Sequence, residues 1–284
     1  LRDYYEKWYR PDNQAIIVVG DIDVEHTEAE IKRLFSDIKL QADAAPVVKE
    51  PVPDNAEPIV VIEKDKEQRV NVISLIIKHE TMPDSLKNTI PYIVSQYVKN
   101  TAIGMLNARL AEYAQKQESP FVNAAVEDGS YIFASTMDAF EIDALPKDGM
   151  DEATLAAIYR EALRAARFGF TPTEYNRAKA DALSALDKTY SNKDKRYSRQ
   201  FCDEYKEHYL SKEPIPSLDD YYAMMKEVIP VIPVEAINQT MAMLVPPTDT
   251  NMVILNFNIE KEWIRSKSYS KTYFPDLFLG SMAK

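Results

Sequence analysis

The sequence predicts an α+β fold: a mainly antiparallel sheet of about five to six strands, with helices packed on one face. Three observations carry this. Short strand-like runs and helical segments follow the order helix, strands, helix, strand pair, helices, strand. The run 70–78 sets Val70, Val72, Ser74, Ile76 and Lys78 against Asn71, Ile73, Leu75 and Ile77, with apolar groups on both faces. Such a strand belongs at the centre of a sheet covered on one side by helices. From residue 150 the pattern is helical for nearly a hundred residues.

In chain order, the opening stretch reads as the end of an aromatic helix (Tyr4, Tyr5, Trp8, Tyr9), a Pro11-Asp12-Asn13 turn, and a short buried strand ending at Gly20-Asp21. The aromatic residues fall at helical spacing, which predicts core packing. The chain opens inside this unit, with no initiator Met and no cap before Leu1, so a preceding segment in a longer parent is expected. Asp23 is a good N-cap for a helix over about 25–37, with Ile31, Leu34, Phe35 and Ile38 on one face. Residues 39–57, with Pro51 and Pro53, read as a linker or long surface loop. Strands at 58–63 and 70–78 are joined by a charged turn. A long helical stretch over 84–117 follows, where Pro91 fits only as a break or a first-turn residue.

Two strands are then expected, 121–127 and 131–139, around a tight Asp128-Gly129 turn. Thr171-Pro172-Thr173-Glu174 is a full capping box with Pro at the first helical position. Helices are expected at 151–167, 172–190, 193–212, 217–228 and 233–243, with a last strand, 251–256, returning to the sheet. The domain thus spans 1–258. The remainder, 259–284, is a basic and aromatic tail or linker carrying Lys261, Arg265, Lys267, Lys271, Tyr269, Tyr273, Phe274 and Phe278.

Composition narrows the function. A formal net charge of −11 argues against a nucleic-acid binder, which presents a basic face to phosphates. No apolar run approaches the roughly 18 residues of a membrane span. Cys202 is the only cysteine, so neither an internal disulfide nor a cysteine-based zinc knuckle can form. It is expected in a core or semi-buried place. The six glycines are scattered, which excludes a P-loop and a dinucleotide fingerprint, since both need clustered Gly. The cellular compartment stays open.

The opening Trp8-Tyr9-x-Pro11-x-Asn13 turn and Val18-Val19-Gly20-Asp21-x-Asp23 strand end resemble the pitrilysin and insulin-degrading-enzyme family of zinc peptidases, which includes the mitochondrial processing peptidase. The resemblance continues in Gly104-Met105-Leu106-Asn107-Ala108-Arg109-Leu110, similar to a small-residue-then-Ser-Arg-Leu helix. It continues again in Gly169-Phe170-Thr171-x-x-Glu174-x-x-x-Ala178-Lys179, and in 201–216, similar to a helix that ends before a Pro-rich loop. It implies paired α+β domains closing around a peptide chamber. The zinc sits on an inverted His-x-x-Glu-His helix whose Glu is the general base. In family order that helix lies upstream of the Trp-Tyr turn, so zinc is expected in the parent protein and not in this chain.

Each remaining candidate site residue has a bland reading that is preferred. His79-Glu80 lacks a second His at helical spacing and reads as a solvated strand end; His26 sits at N3 of a capped helix. Glu204 and His208, at i and i+4, share a helix face as metal ligands could, but no third ligand can be named. The family's Arg and Tyr, which hold the substrate carbonyl, fall by count at Gln115 and Phe121, lacking the charge and the hydroxyl. Arg196-Tyr197 point about 100° apart on a helix and read as surface residues. Asp219-Asp220 read as first-turn charges after Ser217. No catalytic, cofactor-binding or metal residue is therefore assigned.

The expected function is that of a non-catalytic domain of a zinc metalloendopeptidase, supporting the catalytic domain and lining the peptide chamber. Its partners would be that catalytic domain, the second half of the parent, and a peptide substrate. The alternatives are a catalytically inactive scaffold or peptide-binding subunit of the same family, and an unrelated α+β binding module.

Overall fold

The computed structural model describes residues 1–258 except 41 and 66; the tail assignment at 259–284 lies outside the described residues. One five-stranded sheet has the order β1-β5-β2-β4-β3, from β1 (Ile59–Lys64), β2 (Val72–His79), β3 (Phe121–Ser130), β4 (Asp138–Pro146) and β5 (Met252–Asn258). β1 and β5 run parallel and the other three pairings are antiparallel, so the sheet is mostly antiparallel, as expected. β2 is central. Its Ile73, Leu75 and Ile77 join Phe140, Ile142 and Ile254 in the main core.

α4 (Ile90–Ala114) and α5 (Asp151–Phe168) cover that core face with Leu106, Leu110, Leu155 and Ile158, and α9 (Val234–Leu244) closes it with Ile237 and Met241. An outer helical layer comprises α6 (Pro172–Ser191), α7 (Ser198–Ser211) and α8 (Leu218–Val231). Leu186, Met225 and Ile229 form its own small core. The opposite face of the sheet carries a smaller buried cluster, Ile76, Ala139 and Val253, with Tyr131 and Leu255 against it. Ser74 and Lys78 of β2 are buried on that face too, and the Lys78 ammonium donates to the Pro53 carbonyl of the loop before β1.

Several expectations need correction. Residues 14–19 are extended but enter no strand; Ile16 and Val18 are exposed. An apolar, β-branched run favours extended backbone, but a strand also needs a hydrogen-bonded neighbour, and this stretch pairs with neither edge strand, β1 or β3. α1 (Arg2–Trp8) buries nothing, so Tyr4, Tyr5 and Tyr9 lie on the surface, where Tyr5 and Tyr9 stack at 4.8 Å. α2 (Val24–Phe35) is capped by Asp23 as expected, yet Leu34 and Phe35 are exposed. The helical stretch 84–117 splits into α3 (Asp84–Lys87) and α4, because Thr89 caps Tyr92 and Pro91 takes the first turn. The expected Asp128-Gly129 turn is strand: β3 runs on to Ser130, opposite Asp138, and residues 131–137 make the connection. There Asp128 is bound on two sides rather than free to turn, as described below. The stretch 193–212 begins as a short 3₁₀ turn, and α7 starts only at Ser198.

One polar knot fastens the helical layers. Arg109 on α4 donates through Nε and Nη2 to both oxygens of Glu174, at 2.7 and 3.0 Å, and through Nη2 to the Gly169 carbonyl at 3.0 Å. Glu174 also accepts from the Thr171 backbone N–H, completing the capping box of α6. The guanidinium lies 4.5 Å from the Phe170 ring centre. Gly169 has φ +71°, and a Cβ there would meet the Asn238 side chain at 2.5 Å, so Gly is required on both counts. Asn238 on α9 in turn accepts from the Phe170 N–H at 2.7 Å.

The hydrogen bonds from Arg109, aided by those from Thr171 and opposed by partial burial, hold the Glu174 pKa at about 2. Its contribution is therefore present above the ordinary 4.5 and lost as pH falls through about 2. Replacing Glu174 by Gln is expected to cost about 2 kcal/mol at pH 7, discounted for partial exposure. Urea denaturation at pH 7 and pH 3 should show the deficit shrinking in acid.

Candidate functional site

The helix-free face of the sheet carries a strip of carboxylates. Side chains alternate across a strand. With Phe140, Ile142 and Ala144 of β4 in the core, Glu141 and Asp143 must point the other way. Glu141 sits opposite Glu127 of β3 and Ile76 of β2; Asp143 sits opposite Ala125 and Ser74. The Ser74 hydroxyl donates to the Asp143 carboxylate. Burial, then the negative charges of Asp143 and Glu127, push Glu141 up to about 7. A carboxyl shared between ionised and neutral forms near pH 7 can accept or donate a hydrogen bond on an otherwise acidic strip. Val122, Asn123 and Ala125 of the β3 edge are exposed beside it. The sequence held the signal in the period-two pattern of Glu141 and Asp143 with Ile142 between them, but closing the strand at Ala139 left it outside.

One register step from the Glu127–Glu141 pair but on the helix side of the sheet, the Asp128 side chain is fully enclosed between two cations. His79 Nε2 lies 2.7 Å from one carboxylate oxygen, and the Lys99 ammonium donates to the other. Burial opposes the carboxylate, but His79 and Lys99 prevail and hold its pKa below the ordinary value. Burial likewise disfavours the His79 imidazolium, and Asp128 overcomes it, raising that pKa. His79 does end β2, but it is a half-buried ion-pair partner and not a solvated terminus. The three side chains anchor β2, β3 and α4 to one another, with no open position between them for a substrate.

The other sequence candidates fall apart in space. Gln115 is exposed at the end of α4, while Phe121 is fully buried and stacked on Tyr113 at 5.4 Å, so the two share no surface. His26 donates its backbone N–H to Asp23 at 2.9 Å, a capping contact. Glu204 is paired with Arg196, and His208 Nδ1 lies 2.7 Å from the Glu213 carbonyl oxygen. No group of three or more His, Cys, Asp or Glu among the described residues could hold a metal ion. Arg196 and Tyr197 are not on a helix surface: they form the extended entry to α7, where Arg196 also packs over Phe201 at 4.1 Å. Asp220 takes part in the Ser217 cap, whereas Asp219 is bound by Lys193 and Tyr190. Cys202 is half-buried.

On the far side of the molecule from the open sheet face, a groove of 1130 Å³ runs along α4 between α6 and α7. α7 buries no residue and so stands off from α4, with the loop through Pro214 and Pro216 closing the end.

Residues 1–181 match the family described as the peptidase M16 inactive domain, and the chain belongs to that family. The "Probable zinc protease PqqL" of Escherichia coli (strain K12) is 26% identical over 237 residues, covering 84% of this chain and 25% of that protein. The "Zinc protease PQQL-like" of Arabidopsis thaliana is 23% identical over 233 residues, covering 82% of this chain and 21% of that protein. The chain thus spans about a quarter of the length of the curated relatives it matches. Among solved structures, the periplasmic protease PqqL from Escherichia coli superposes with a TM-score of 0.78 at 22% identity, over 100% of this chain and 30% of that one. An insulinase family protease from Yersinia pestis gives 0.79 at 16% identity, over 99% and 58%. The fold is the half-unit of the pitrilysin-type peptidases, and the relatives are metallopeptidases by name.

Because Glu141 titrates near 7 in the fold and at the ordinary 4.5 when unfolded, ionising it costs stability as pH climbs from 4.5 to about 7. Glu141→Gln is expected to leave melting unchanged at pH 5 and to raise the midpoint by about 2 °C at pH 8. Calorimetry at the two pH values reads the difference.

Proposed function

We propose that this chain is the non-catalytic domain that supports the zinc-bearing catalytic domain of a metalloendopeptidase, and that the helix-free face of its sheet lines the peptide chamber. The observation that carries this is the one-sided packing of the sheet: the core helices take one face, while the other presents Glu127, Glu141 and Asp143 beside an exposed β3 edge. Such a face offers strand backbone and carboxylates to an extended, basic peptide. The match to an inactive peptidase domain and the zinc-protease names of the relatives support the same reading. The zinc and its general base would come from the catalytic partner domain. The described residues of this chain offer no ligand set, with Glu204 tied to Arg196 and His208 facing a carbonyl.

Two measurements test it. The purified chain should bind zinc far below one equivalent by mass spectrometry and leave a fluorogenic peptide uncut; stoichiometric zinc with hydrolysis overturns the assignment. In the full-length parent, a photo-crosslinker at Ala125 should capture a bound peptide while one at Arg160, exposed on α5, should not. Capture at Arg160 alone would place the peptide on the wrong face.

A further inference from the structure

We infer that the groove between α4, α6 and α7 is a second docking site, for a basic peptide segment with apolar anchors. It lies on the helical side of the molecule and is separate from the sheet face assigned to the chamber. Its size fits such a segment. The lining runs along α4 from Tyr92 to Glu112, about 30 Å at 1.5 Å per residue, the length of about nine extended residues.

The charge of the lining selects the partner. Seven carboxylates line the groove against three guanidiniums. Two of those guanidiniums are already used, Arg109 by Glu174 and Arg196 by Glu204. Asp203 and Glu207 are met by Lys206, and Asp203 also by Arg199; that leaves Glu112, Asp181 and Glu213 against Arg177. Glu112 and Asp181, on opposite walls, have no ion pair among the described residues, and Glu213 accepts only the Tyr92 hydroxyl and no cation. An acidic cleft with low-dielectric walls concentrates cations and repels acidic chains. The floor is apolar where a side chain would enter: Ile93, Met105, Ala178 and Ile215 all border it. The Arg109 Nη1, at the same floor, is sealed from solvent without a hydrogen-bond partner. An uncompensated guanidinium donor there is costly and adds positive potential beneath the floor, which the surrounding carboxylates outweigh.

Gly104 gives the proposal a clean test. It lines the groove in the middle of α4, and a Cβ there would meet nothing within 4 Å. Gly104→Leu therefore fills the groove while improving helix propensity, so the fold should be kept or stabilised. The probe is a fluorescein-labelled nonapeptide alternating Leu and Arg, with an alternating Leu and Glu peptide as control, titrated against the 284-residue chain by anisotropy. Expected are saturable binding of the Arg peptide only, at least tenfold weakening in Gly104→Leu with an unreduced melting temperature, and at least tenfold weakening in Glu112→Lys/Asp181→Lys. Equal binding of the Glu peptide, undiminished binding by Gly104→Leu, or no binding of the Arg peptide overturns the inference. None of these outcomes bears on the chamber reading, which is probed at Ala125.

Discussion

The Arg109–Glu174 pair is the constraint on which the helical half of the domain depends. A single guanidinium bridges the long helix α4, the carbonyl of the turn after α5 and the first turn of α6, while the neighbouring Phe170 N–H reaches α9. Helix packing by apolar contact alone allows small slides. A bidentate pair with fixed geometry does not. Each member also serves a second role: Glu174 closes a capping box and Gly169 supplies a left-handed turn that no side chain could occupy beside Asn238. Loss of any one member loosens more than one helix.

The knot also separates two surfaces. It ties helix to helix within the layer that packs on one face of the sheet, while the opposite face carries Glu127, Glu141 and Asp143. By setting α4 against α6 while α7 stands off, it opens the groove on the outside. Both surfaces are acidic, in keeping with a net charge of −11. They differ in kind: the first is flat strand backbone with alternating side chains, the second a walled cleft between helices.

Much of this was legible in the sequence where a local rule and the tertiary structure agree. Thr171-Pro172-x-Glu174 specifies a helix start by its own chemistry, and the structure places it there. The alternation of 70–78 identified the central strand because both faces of β2 are buried. Reading failed where a local pattern lacked its partner or found an unforeseen one. Asp128-Gly129 has turn chemistry, but His79 and Lys99, distant in sequence, hold Asp128 within the ladder. Tyr4, Tyr5 and Tyr9 have core-like spacing, yet nothing described covers them. Arg109 looked like one letter of a motif, since its three contacts lie at least 60 residues away and no window contains them.

The place of β5 in the sheet has a consequence for how the chain is made. β5 lies between β1 and β2, so Ile59 has no strand beside it until Val253 arrives. The loop before β1 waits on the same event, because Asn55 is held by Asn251 and Met252. A ribosome must therefore release almost the whole domain before its first strand can pair, and until then β1 and one edge of β2 stand open. Such late, long-range closure slows folding and exposes edges to other chains. The helical knot around Arg109, complete by residue 174 apart from its link to Asn238, can form while the sheet is still waiting.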